Sequence, residues 1–216
     1  MSRAVIVNTN REVRSYGPGE TIDNPVPGDF LLTHARGLTP SLIQFGQRLR
    51  YKANQSGYAH WSHAAVFVSA DGMIVEAIES GVQERNVSEY HNTEYHVIHL
   101  LDVSDRERGN AVDFAKHCLS DYYGFLTDFS LGFNLITGTR FFFGVDGQLI
   151  CSGLAARALE RTGAIFHYDS WHMLPADLAA AYNVTPDPGA SVGTIPDAAS
   201  GVVRRSGRNP VASSEK

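Results

Sequence analysis

Three residues of this chain are of the types, and in the local settings, that nucleophilic chemistry requires. Cys151 stands in Ile150-Cys151-Ser152-Gly153-Leu154, where the apolar stripe of Leu154, Ala155, Ala158 and Leu159 predicts a helix running from Cys151 to about Arg161. His63 opens the apolar run Ala64-Ala65-Val66-Phe67-Val68, and Glu76 interrupts a second one, Met73-Ile74-Val75-Glu76-Ala77-Ile78. A thiolate that attacks a carbonyl, an imidazole that takes and returns a proton, and a carboxylate that orients the imidazole together make a cysteine hydrolase. A cysteine in the first turn of a helix sits at the positive end of its dipole, which favours thiolate over thiol. The amide N–H of Cys151 would then be free to help bind an oxyanion. Each residue also has an ordinary reading: a buried structural cysteine, one packed histidine among nine, an outward-facing glutamate.

The strands that carry the last two residues decide whether they meet. Asp71-Gly72 between the apolar runs is a hairpin signal. If Val68 pairs with Met73 around a four-residue loop, His63 falls opposite Ile78. Glu76 then shares its sheet face at the diagonal position, roughly 7–8 Å away. A three-residue loop would instead put Glu79 opposite His63, because a one-residue slip exchanges the faces. His60, three positions earlier, is the rival base.

Other elements follow from periodicity and punctuation. Asp29–Thr33, Gly81–Arg85 and Tyr95–Leu101 read as strands, and Asp105–Leu119 as the clearest helix. A weaker helical pattern runs from Pro40 to Lys52, with Thr39 as its cap. Gly163 stops the Cys151 helix, and Pro175–Tyr182 forms a short one. Phe125 to Val145 is rich in aromatics and glycine, and Phe129, Phe133, Phe141, Phe142 and Phe143 read as core or as the lining of an acyl pocket. Residues 1–25 are expected to be an N-terminal extension, 26–182 the domain, and 183–216, dominated by Pro, Gly, Ser and Ala, a disordered tail.

Hydrophobic residues at 43% and charged residues at 19% permit a single packed core in a chain of 216 residues. A net charge of −5 argues against a dedicated nucleic-acid partner. Two cysteines do not make a disulfide framework, and Cys118 reads as a small buried hydrophobe. No closely spaced pair of metal ligands, P-loop or dinucleotide fingerprint occurs, so neither a metal nor a cofactor is expected. The start lacks the apolar core of a signal peptide, and no apolar run approaches ~18 residues. The expectation is a cytoplasmic product with no transmembrane segment.

With Pro27-Gly28-Asp29-Phe30-Leu31-Leu32, Ser62-His63-Ala64-Ala65-Val66-Phe67-Val68, Asp71-Gly72 through Val75-Glu76-Ala77, Gly81-Val82, Tyr123-Gly124-Phe125 and Ile150-Cys151-Ser152-Gly153-Leu154 in this order, the chain resembles the circularly permuted papain-like superfamily. It looks closest to the YiiX-like branch, related to NlpC-type cell-wall peptidases and lecithin–retinol acyltransferases. The resemblance spans roughly residues 26–180. It implies an α+β fold, a small antiparallel sheet packed against helices, with Cys151 as nucleophile, His63 as base and Glu76 as the orienting residue. It departs from the pattern at Gly153 and Gly124, where the family often carries acidic residues. A peptidase or amidase acting on a peptide or acyl-amide substrate is the leading expectation. An acyltransferase or thioesterase acting on lipid, and a catalytically silent binding module of the same fold, are the alternatives.

Overall fold

The computed structural model describes residues 10–34, 44, 47, 48, 51, 53–78, 81–119, 148–166, 170 and 173–186. They form a mixed α+β structure around an open antiparallel sheet of six strands. In chain order the strands are β1 (Arg11–Tyr16), β2 (Phe30–Thr33), β3 (His63–Phe67), β4 (Met73–Ile78), β5 (Gly81–Asn86) and β6 (Tyr95–Leu100). Across the sheet their order is β1-β6-β2-β3-β4-β5. Three helices follow, α1 (Asp105–His117), α2 (Gln148–Glu160) and α3 (Pro175–Ala181). Among the described residues no helix is long and apolar enough to cross a membrane.

The inner strands read as nearly unbroken apolar runs because both faces of the sheet are covered. Leu32, Ala64, Val66, Val75, Ala77 and Ile98 face the helices, where Leu154, Ala155, Ala158 and Leu159 of α2 pack on them. Leu31, Ala65, Phe67, Ile74 and Val97 project the other way, into a smaller cluster with Val87 and Tyr95 that Tyr16, Ile22 and Tyr90 flank. Helix α2 is buried around almost its whole circumference, which is why its apolar residues are not confined to one stripe.

The β3–β4 hairpin takes the four-residue loop. Val66 pairs with Val75 and Phe67 with Ile74, and the Val68 N–H donates to the Met73 carbonyl at 2.8 Å. Gly72 has φ +88°, a conformation that favours glycine, and the Ser69 hydroxyl accepts the Met73 N–H at 3.1 Å. Extended along β3 and β4, this register places His63 opposite Ile78. Glu79, the alternative under the shorter loop, lies outside the described residues.

A polar clamp joins the sheet to α1. Asp29, just ahead of β2, accepts from Arg108 Nη1 and from His99 Nδ1, each at 2.6 Å, and from the Leu100 N–H at 3.1 Å. Gly28, at φ +87°, lies against Arg108 so closely that a Cβ would stand 3.0 Å from the Arg108 Cα. Helix α1 starts with a capping box between Ser104 and Glu107.

Two boundaries differ from expectation. Residues 11–16, read as part of an extension, form the edge strand β1 against β6, with Arg11 opposite Leu100 and Tyr16 opposite Tyr95. Its charged sequence, Arg-Glu-Val-Arg-Ser-Tyr, suppresses the strand signal because an edge strand keeps charges toward solvent. Helix α2 begins at Gln148 rather than Cys151. Of the weak helix between Pro40 and Lys52, Gln44, Gln47 and Arg48 are described and helical. The aromatic stretch from Phe125 to Val145 and the tail beyond residue 186 lie outside the described residues.

Candidate active site

His63 and Glu76 sit at one end of the β3–β4 pair, beyond its paired residues, and their side chains join them. Nε2 of His63 donates to Oε2 of Glu76 at 2.6 Å. Cys151 of α2 hydrogen-bonds the same imidazole. With Nε2 committed to the carboxylate, Nδ1 is the ring nitrogen left for the thiol. The imidazole therefore lies between the sulfur and the carboxylate, each on a different element. All three are buried: Cys151 and Glu76 are 0% exposed and His63 6%.

Burial on its own would push the imidazole toward the neutral form. The charge of Cys151 and its hydrogen bond, then the hydrogen bond and charge of Glu76, outweigh burial and raise the His63 pKa from 6.5 to about 10. Burial likewise acts to raise Glu76, but the hydrogen bond and charge of His63, the Tyr90 hydroxyl and the Arg85 charge hold it below the ordinary carboxylate value. The carboxylate on one side and the Cys151 side chain on the other thus favour the charged form of the imidazole.

Two neighbours of Glu76 escaped the sequence reading. Tyr90, which ends the short 3-10 turn Val87–Tyr90, donates its hydroxyl to Glu76 Oε2. Arg85 of β5 reaches Glu76 Oε1 from Nη1 at 3.3 Å and Glu89 from Nη2 at 2.7 Å. One signal for Arg85 was available: with Asp71-Gly72 setting the hairpin, the next strand pairs with β4, and Arg85 falls opposite Ile74, two positions from Glu76. Tyr90 has no comparable signal, because its approach depends on how the chain turns after β5.

Helix α2 is described from Gln148, so Cys151 lies in its first described turn.

His60, the rival base, belongs to a different cluster. Its ring stacks on His34 with centroids 4.2 Å apart, and its Nε2 pairs with Glu94 Oε2 at 3.0 Å. Against the cost of burial, hydrogen bonds from His60 and His96 lower Glu94 to about 2. Among the described residues no group of three or more His, Cys, Asp or Glu side chains is arranged to hold a metal ion. Ser152, next to the sulfur, donates to the Met173 carbonyl, and Gln47 links the Trp61 carbonyl at 2.8 Å to the Ala176 N–H at 2.8 Å. These contacts fix α2 and α3 around the site. Cys118, at the C-cap of α1, is buried in the helix-side core.

No protein-family model matches the chain, and no curated protein and no solved structure is found similar to it.

Proposed function

We propose that the protein is a cysteine hydrolase of the permuted papain-like kind, which cleaves an amide through an acyl-enzyme. The observation that carries the reading is the His63 ring, bonded on one side to Glu76 and on the other to Cys151. In the first half-reaction the Cys151 thiolate attacks the carbonyl carbon and a carbon–sulfur bond forms. The carbon–nitrogen bond then breaks as the His63 imidazolium gives its proton to the departing amine. In the second, the now neutral His63 takes a proton from water, the hydroxide adds to the thioester, and the carboxylic acid leaves as the thiolate returns. Glu76 remains charged throughout and keeps the ring oriented. The backbone N–H of Cys151 would help bind the oxyanion of each tetrahedral intermediate. Peptides and acyl amides are the substrate classes this chemistry serves.

The test compares iodoacetamide labelling of the parent and of His63→Ala across pH, by mass spectrometry. Cys118 serves as the reference thiol in the same sample. A Cys151 that labels faster than Cys118 at pH 6 to 7, and loses that advantage in His63→Ala, supports the hydrolase. Equal labelling in parent and variant refutes the thiol–imidazole pair.

One observation favours a second reading, a binding module that retains the residues without turnover: Cys151 is 0% exposed. A substrate must displace surrounding side chains to reach the sulfur. A Cys151→Ala variant that keeps the full activity of the parent on a panel of peptide and acyl amides would remove the hydrolase reading.

A further inference from the structure

We propose that Tyr90 is a positioning residue for the thiol–imidazole pair, acting through Glu76 by holding Oε2 in line with the His63 ring. The inference rests on the hydrolase reading above and adds a fourth member to its chain of contacts.

A carboxylate with no exposure needs donors for its charge, and its terminal torsion has no sharp staggered preference of its own. Oε2 of Glu76 receives two donors, the His63 Nε2–H and the Tyr90 O–H. A carboxylate oxygen has two lone pairs, so the donors occupy separate lobes and together fix the plane of the group. Arg85 contributes to Oε1 at the longer distance of 3.3 Å, is a third exposed and is shared with Glu89, so it holds the group less tightly. The Tyr90 ring also lies against the imidazole, with centroids 6.0 Å apart. Tyr90 thus touches both members of the His63–Glu76 pair from outside the two strands that carry them.

Its own position is set locally. The Asn86 side chain caps the turn by accepting the Ser88 N–H at 3.0 Å, and Val87 anchors the turn in the smaller core cluster. Burial, then the charge and hydrogen bond of Glu76, then the charge of Cys151 raise the phenol pKa, so Tyr90 remains a donor at every working pH. Among the described residues, the charged and titratable groups facing Glu76 are therefore His63 from β3, Arg85 from β5 and Tyr90 from the turn, with Cys151 of α2 beyond the imidazole.

The experiment is a double-mutant cycle on the full chain, read by the pH profile of Cys151 alkylation with iodoacetamide. Tyr90→Phe keeps the ring and removes the donor. It is expected to slow alkylation at pH 7 about tenfold, the scale of one hydrogen bond to a charged group. It should also move the acid limb of the profile to higher pH, because a carboxylate that has lost a donor takes up its proton more readily. In a Glu76→Gln background, Tyr90→Phe should add less than about twofold, since its action passes through the carboxylate. A Tyr90→Phe profile superimposable on the parent, or full additivity in the double variant, overturns the inference. A purely structural tyrosine would alter stability and leave the acid limb where it is.

If Tyr90→Phe does not fold, the parent supplies the answer by NMR. A slowly exchanging Tyr90 hydroxyl proton with a cross-peak to the His63 ring is expected, and its absence overturns the inference. A parent in which His63→Ala leaves Cys151 labelling unchanged refutes the hydrolase reading itself, and the role of Tyr90 with it.

Discussion

The hydroxyl of Ser152 donates to the main-chain carbonyl of Met173 at 2.5 Å, tying the residue after Cys151 to the segment that leads into α3. Ser152 is fully buried, so Ser152→Ala leaves that carbonyl without its partner. The expected cost is about 1–3 kcal/mol, read as a lower midpoint in urea unfolding. Cys151 alkylation should change by less than about threefold, since the serine positions the helix and does not touch the base. A neutral unfolding midpoint would show that the bond contributes nothing.

His60 and His63 separate cleanly. His60 is engaged by Glu94 and stacked on His34, whereas His63 bridges Cys151 and Glu76. His60→Ala is expected to leave Cys151 alkylation at pH 7 within about twofold of the parent, while His63→Ala lowers it by about a hundredfold or more, in the range assigned to a general base. Equal losses in the two variants would assign the base to the wrong histidine.

The titration of the site has a sign that stability measurements can read. An imidazole raised from 6.5 to about 10 in the folded chain stabilises fully below pH 6.5, and that contribution fades as pH rises through about 10. Glu76, held below its ordinary 4.5, works in the opposite sense, stabilising above pH 4.5 and losing its contribution as pH falls through its folded value. Urea unfolding of the parent should therefore show stability falling between pH 6.5 and about 10, and His63→Gln should flatten that limb. Parallel alkaline limbs in the two proteins would locate the decline elsewhere.

The Asp29 clamp carries a stability prediction of its own. Asp29→Ala takes the carboxylate from the mostly buried Arg108 guanidinium, which keeps the Pro27 and Leu100 carbonyls as acceptors, and removing one partner of a buried pair costs about 3–5 kcal/mol. Gly28→Ala adds a left-handed backbone penalty of about 1–2 kcal/mol and sets a Cβ against the Arg108 backbone. Thermal unfolding of both variants should give clear losses of Tm. A Gly28→Ala protein as stable as the parent would mean that the Arg108 helix can retreat without penalty.

What was legible in the sequence was what depends on short-range rules. Asp71-Gly72 between apolar runs gave the hairpin but left two registers open, and the structure takes the one with the four-residue loop. Gly163, observed at φ +84°, gave the end of α2. The misses all concern partners chosen over distance. Strand β1 pairs with β6 despite its charges, α2 gains three residues ahead of Cys151, and Tyr90 reaches Glu76 only because the chain turns back after β5. Glu94 drew no notice in sequence, although it lies between His60 and His96 in space.

The placement of the hairpin has a further consequence for the order in which this protein can assemble during synthesis. His63 and Glu76 are 13 positions apart on adjoining strands, so the basic half of the site can form early, by local closure. Cys151 emerges from the ribosome after the six described strands, and α2 packs on the sheet that they form. The Cys151 side chain is thus expected to meet the imidazole late in folding. A nascent chain arrested after α1 should already set the imidazole beside its carboxylate while lacking Cys151.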